Sequence, residues 1–137
     1  VDTMVNMPEN VIEHIKANKT VVLATVSEDG IPNAVPNMFV EVKSPDIILI
    51  GDNFFKKTAA NLKKPNSQIA ICSWVSTKEG YQIKGVANYV TSGPDYEAMK
   101  QIIKSRSDKL PAKGCVIMNV TEVYDLAAGP NAGNKII

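Results

Sequence analysis

The chain has 137 residues, 45% of them apolar and 21% charged, which suits a single domain over 1–137 with a substantial core. Its formal net charge is only +1, so no global field draws it to nucleic acid or to an anionic membrane surface. Aromatic residues are sparse and the one arginine is Arg106, which leaves no interleaved aromatic and basic platform for stacking bases.

The opening stretch, VDTMVNMPENVIEHI, carries acids and no long apolar centre, unlike a signal peptide, and no apolar run approaches the ~20 residues that cross a bilayer. A cytoplasmic location without membrane association is the expectation. Pro8 opens a helix that runs to about Asn18, with Val11, Ile12 and Ile15 as its buried stripe and His14 on the flank as a surface or half-buried polar residue. Val21 to Val26 is a short β-branched run, a buried strand, and the Asp-Gly of SEDG turns the chain. IPNAVPNMFVEV resumes as one strand to about Val42. Pro36 cannot donate to a ladder, so this strand is an edge, a bulge or a barrel seam. Ile47 to Ile50 form the next strand.

Ser67 to Val75 and Tyr81 to Val90 are strands separated by a polar loop, and Gly85 marks a bulge, a sharp bend or a close approach. Ser92 and Pro94 open a helix whose apolar stripe is Tyr96, Met99 and Ile103. Cys115 to Leu126 is the last strand, followed by a tail with no periodicity. Cys72 and Cys115 both sit in apolar strand-like runs and read as buried thiols. With one His and no Cys-x-x-Cys, a His-rich or zinc site is not expected. About six antiparallel strands with short hairpin loops and no βαβ alternation point to a mainly β fold, a small closed or nearly closed barrel.

The stretch that carries chemistry is GDNFFKKTAANLKKP, residues 51–65. Gly51 permits a sharp turn, Asp52 or Asn53 can cap a helix, and Pro65 ends that helix near Lys64. Phe55, Ala59 and Leu62 then form one apolar stripe, and Lys57, Asn61 and Lys64 a neighbouring one. Lys57 and Thr58 fall in the first turn, where an ammonium, a hydroxyl and unpaired amides make a phosphate site. A solvated lysine face with an ordinary local cap is the competing reading.

Four strings in order, VVLATVSEDGIPNAVPNMF, GDNFFKKTAANL, GYQIKGVANYVTSGPDYEAM and VIMNVTEVYDLAAGP, resemble the FMN-binding split-barrel superfamily of pyridoxamine 5′-phosphate oxidases and small FMN-binding proteins. The resemblance implies a six-stranded antiparallel split β-barrel with Greek-key topology, a homodimer, and FMN at the dimer interface. It implies that Lys57 and Thr58 bind the FMN phosphate with Lys56 near it, and that Asn61 packs behind them. Pro36, Asn37 and Met38 would lie against the flavin ring, Ile50, Gly51 and Asp52 would line the other side, and Trp74 or Gln82 would reach in from facing strands. The tail from Ala128 would help complete the partner's pocket.

One departure from the oxidases stands out. The strand before the site holds Val35 and Pro36 and no arginine, and Arg106 lies in the second helix, so no second cationic pocket is apparent for a pyridoxamine-phosphate substrate. The chain is therefore expected to be nearer the minimal FMN-binding type. No residue stands out as a general acid or base, which suits a flavin oxidoreductase or electron carrier served by NAD(P)H or a redox partner protein. A non-enzymatic flavin-binding module, or a split barrel using a deazaflavin or haem, are the alternatives.

Overall fold

The structure is a computed structural model and describes residues 3–137. The elements in chain order are α1 (Glu9–Ala17), β1 (Val21–Val26), β2 (Pro32–Asn37), β3 (Val40–Ser44), β4 (Ile47–Asp52), α2 (Lys57–Asn61), β5 (Ser67–Ser76), β6 (Glu79–Val90), α3 (Pro94–Arg106) and β7 (Gly114–Asp125). All seven strands belong to one antiparallel sheet in the order β2-β1-β5-β6-β7-β4-β3. β5, β6 and β7 form a central meander, with one hairpin on each side. The two outermost strands, β2 and β3, are joined directly by Met38 and Phe39, and the sheet curls into a split barrel.

Sequence reading expected one strand from 31 to 42; the chain breaks it in two, which raises the strand count from six to seven. Asn37 is the reason. Its side-chain Oδ1 accepts the Phe39 N–H at 2.7 Å and its Nδ2 donates to the Gly51 carbonyl at 2.9 Å. The turn at 38–39 is thereby tied to the end of β4. Pro32 and Pro36 sit on β2, an edge strand, where a missing N–H costs no ladder bond.

β4 shows why Ile47 to Ile50 is continuously apolar: it is covered on both faces. Ile48 and Ile50 point into the barrel with Leu23, Ile71, Ile83, Val116 and Met118, while Leu49 packs under α3 against Met99, Ile103 and Cys115. α1 presents Val11, Ile12 and Ile15 to the barrel core. α3 buries Met99 and Ile103 as its spacing predicts, with Tyr96 packed beside them. Its N-cap is Gly93, not Ser92, and no side chain caps it. Both cysteines are free. Burial pushes the Cys115 thiol up to about 12, and raises Cys72 as well, so neither is an activated nucleophile. Among the described residues no helix is long and apolar enough to cross a membrane.

The largest local departure is α2. A helix from 52 or 53 to 64 shrinks to five residues. Gly51 and Asp52 are taken into β4, where they pair with Cys115 and Gly114 of β7. Residues 53–56 become a loop, and the N-cap is Lys56, without a side-chain cap. Leu62 still drops into the core, with Phe55 packed against it.

Candidate functional site

A cleft of about 760 Å³ opens between the end of β2, the 53–56 loop with the start of α2, and the C-terminal end of α3. Its walls are mostly apolar: Val35, Pro36, Met38, Phe39, Phe54, Phe55 and Leu110. Three cations line it, Lys56, Lys57 and Arg106, and among the described residues no carboxylate does. A chain whose whole formal charge is +1 thus gathers three positive side chains around one apolar slot. None of the three forms an ion pair among the described residues.

One end is built around Thr58, which is 2% exposed. Its Oγ1 accepts a hydrogen bond from Asn33 Nδ2 at 3.0 Å. The same Asn33 amide donates to Thr25 Oγ1 at 3.2 Å, and Asn61 Nδ2 donates to that Thr25 oxygen at 3.0 Å. With its acceptor role filled by Asn33, the Thr58 hydroxyl has its proton to offer. The opening amides of α2 have no intrahelical acceptor. Five residues are too few for a useful helix dipole, so the positive character here comes from Lys56 and Lys57 themselves. The other end is closed by α3. Arg106 stacks over the Phe39 ring, 4.6 Å from its centroid, with Ser107 and Leu110 beside it.

Of the residues singled out from sequence, the fold brings Pro36, Asn37, Met38, Gly51, Lys56, Lys57 and Thr58 to this cleft. Ile50 points into the barrel core and is fully buried. The Asp52 carboxylate is buried and turned to Tyr89 and to the Phe55 amide. Asn61 stands behind Thr58 through Thr25, beyond the cleft wall. Trp74 and Gln82 lie on the outward face of β5 and β6, away from this cleft. The tail runs along β7 of its own chain, with Ile136 and Ile137 bonded to Val123.

Sequence reading passed over Asn33, Phe54 and Arg106. Arg106 had a signal: it lies seven residues after Met99 and three after Ile103, on the buried stripe of α3. The second cation that seemed missing from the site is this one, delivered by a helix more than forty positions away. Asn33 shares a face of β2 with Val35 and Asn37 by alternation, a signal that two prolines obscured.

His14 is buried, not half-exposed. Its Nε2 lies 2.8 Å from Ser73 Oγ, and its Nδ1 is paired with Glu79 Oε2. Its ring meets Tyr81 edge-on at 5.1 Å. The order Ser–His–Glu is that of a hydrolytic relay, but Ser73 is 0% exposed and does not line the cleft described above. The cluster fastens α1 to the β5–β6 hairpin.

Comparison with known proteins agrees with this architecture. A sequence model of the family described as pyridoxamine 5′-phosphate oxidase matches residues 7–127. An uncharacterized protein of Methanocaldococcus jannaschii is 33% identical over 137 aligned residues, covering 98% of this chain and 91% of the relative. The crystal structure of HupZ from Group A Streptococcus superposes with a TM-score of 0.78 at 24% identity, covering 93% of this chain and 99% of that one. An FMN-binding protein from Syntrophomonas wolfei superposes with a TM-score of 0.66 at 19% identity, covering 88% and 86% of the two chains. The antiparallel split barrel and the match across nearly the whole chain make this protein a member of the pyridoxamine 5′-phosphate oxidase family.

Proposed function

We propose that the chain binds FMN in this cleft as a homodimer and acts as an FMN-dependent oxidoreductase or electron carrier. The observation that carries the reading is the apolar slot lined, among the described residues, by three cations and no carboxylate. A planar ring with a phosphate carrying about −1.5 to −2 charges is the complement of such a slot. The volume lies within the roughly 300–1,000 Å³ typical of small-molecule sites. No His or Cys lines the cleft, which leaves a haem iron without its commonest protein ligands.

Each residue then has a task. Lys57 and Lys56 neutralise the phosphate, and the Thr58 hydroxyl, oriented by Asn33, donates to it. Pro36, Met38 and Phe54 flank the ring and exclude water, and the backbone at Asn37 and Met38 is placed to hydrogen-bond its polar edge. FMN, when bound, supplies hydride and single-electron transfer. Arg106 stands at the end away from Thr58 and is left for an anionic group of the reaction partner. The outward positions of β2, β1 and β5, among them Ala34, Pro36, Val22, Ala24, Ala70 and Trp74, carry no charge. That face suits a second copy of the chain, whose Trp74 or Gln82 can complete the slot.

The test is an FMN titration of the flavin-free protein, read by visible absorption and by sedimentation. A yellow complex with one FMN per chain in a dimer is expected; a protein that stays colourless overturns the reading. Failure of NADH and NADPH to bleach the bound flavin would leave a carrier or flavin-holding role. Where one of them does reduce it, Arg106→Ala should raise its KM about tenfold, a typical loss for one charge-assisted contact, with FMN affinity within about twofold. An unchanged KM removes Arg106 from the partner site.

A further inference from the structure

Lys57 and Thr58, assigned above to the phosphate, open α2 just after an irregular loop, 53–56, and a seven-residue linker, 107–113, contributes Ser107 and Leu110 to the opposite wall. Neither segment is held by regular secondary structure. What holds them is a buried carboxylate that forms no ion pair among the described residues. Asp52, 1% exposed, closes β4 at the root of the loop. Its Oδ1 accepts the Phe55 N–H at 2.9 Å and its Oδ2 accepts the Tyr89 hydroxyl at 2.5 Å.

Three further bonds join the loop root to the linker. Lys113 N–H donates to the Asp52 carbonyl at 2.8 Å, Ala112 N–H donates to Asn53 Oδ1 at 2.9 Å, and Lys113 Nζ donates to the Phe55 carbonyl at 3.0 Å. Tyr89 reaches Asp52 across Gly114 of β7, which pairs with Asp52 and where a side-chain carbon would collide with the phenol. Burial first, and then the Asp52 carboxylate, push the Tyr89 hydroxyl far above its ordinary range, so it remains a donor.

We propose that Asp52 and Tyr89, which do not line the cleft, are the positioning residues of its phosphate end: they lock the 53–56 loop to β6 and to the 107–113 linker in the one arrangement that aims Lys57 and Thr58, at the start of α2, at a phosphate. An apolar pair at these positions would fill the same space. Only a carboxylate whose two oxygens accept from different elements fixes the direction in which the loop leaves β4. Because the linker follows Arg106 directly, the same lock sets the span between the two cationic ends of the cleft.

The inference rests on the FMN reading above, and its test separates the two. Affinities for FMN and for riboflavin, which lacks the phosphate, are measured on the full chain by flavin fluorescence, with the thermal midpoint alongside. Tyr89→Phe should weaken FMN by roughly tenfold and riboflavin by less than about twofold, in the manner of a residue supporting a ligand-binding side chain. Asp52→Ala should act like Tyr89→Phe, whereas Asp52→Asn, which keeps an acceptor for Phe55, should retain most of the preference for the phosphorylated flavin. A purely structural role would lower the midpoint and move both flavins together, and that result, or no change in either flavin, overturns the proposal. If Tyr89→Phe does not fold, Lys113→Met removes one bond of the same lock and should shift the ratio by about threefold in the same direction; an unchanged ratio there overturns it too. Lys57→Ala is the reference. If it leaves the FMN-to-riboflavin ratio unchanged, the phosphate lies elsewhere and both readings fall. If it lowers the ratio and Tyr89→Phe does not, the positioning proposal alone fails.

Discussion

Replacing Lys57 by alanine is expected to weaken FMN by about ten- to a hundredfold, the equivalent of one charge-assisted hydrogen bond of roughly 1.5–3 kcal/mol. The size follows from the surroundings. Among the described residues no carboxylate in the cleft competes for the ammonium, so its field acts on the ligand undivided. Lys56 stands next to it and retains part of the field, and Lys57 is exposed, which draws the expected loss toward the lower end of that range. The same exposure makes the effect depend on ionic strength: the difference between wild type and Lys57→Ala should narrow as salt is raised from about 0.01 M to 1 M and the screening length falls from about 30 to 3 Å. Riboflavin should bind both proteins equally. The measurement is a fluorescence titration of both flavins at two salt concentrations, and equal FMN affinity for the two proteins would place the phosphate outside the 56–58 segment.

The second large effect concerns stability. Gly85→Ala should destabilise the fold by about 3 kcal/mol or more, at the severe end for overpacking a buried site. The pairing of β6 with β7 slips at this residue: Lys84 faces Glu122, Gly85 faces Val120, and Thr121 is the extra residue of a bulge. A side-chain carbon on Gly85 would overlap the Asn119 carbonyl, with Met118 Cε only 3.3 Å away. The obstacle is backbone, and it cannot retreat without opening the pairing of Val86 with Asn119. β6 and β7 are the central strands of the sheet, so the strain falls on the barrel itself and not on an edge. Since a typical domain has only about 5–15 kcal/mol to lose, the variant should show a much lower urea midpoint or fail to accumulate. A midpoint within experimental error of wild type would mean that the two strands are further apart at the bulge than described.

Local chemistry was legible before any fold was known. Ile47 to Ile50 declared a strand core, because an unbroken apolar run of four has no place in water. Gly85 announced a bulge, a bend or a close approach, and Pro36 an edge, a bulge or a seam; Lys57 and Thr58 were legible as neighbours at one helix start, and both line the cleft. Each depends on a residue and its immediate neighbours, and the ordered strings around them carried the family.

What the chain could not declare locally was decided by partners distant in sequence. The helix expected from Asp52 onward was cut to Lys57–Asn61 because Gly114 and Cys115 of β7 claimed Asp52 and Gly51 as strand. The expected single strand from 31 to 42 broke because Asn37 found the Gly51 carbonyl fourteen residues on. His14 looked like a flank residue until α1 was laid against Ser73 and Glu79. Arg106 reached the cleft because Met99 and Ile103 buried the stripe it shares. Propensity and alternation act over a few residues, whereas the pairing of strands and the seating of helices bring together groups scores of positions apart. The lone residues were therefore readable from sequence, and only closure of the barrel settled which of them meet.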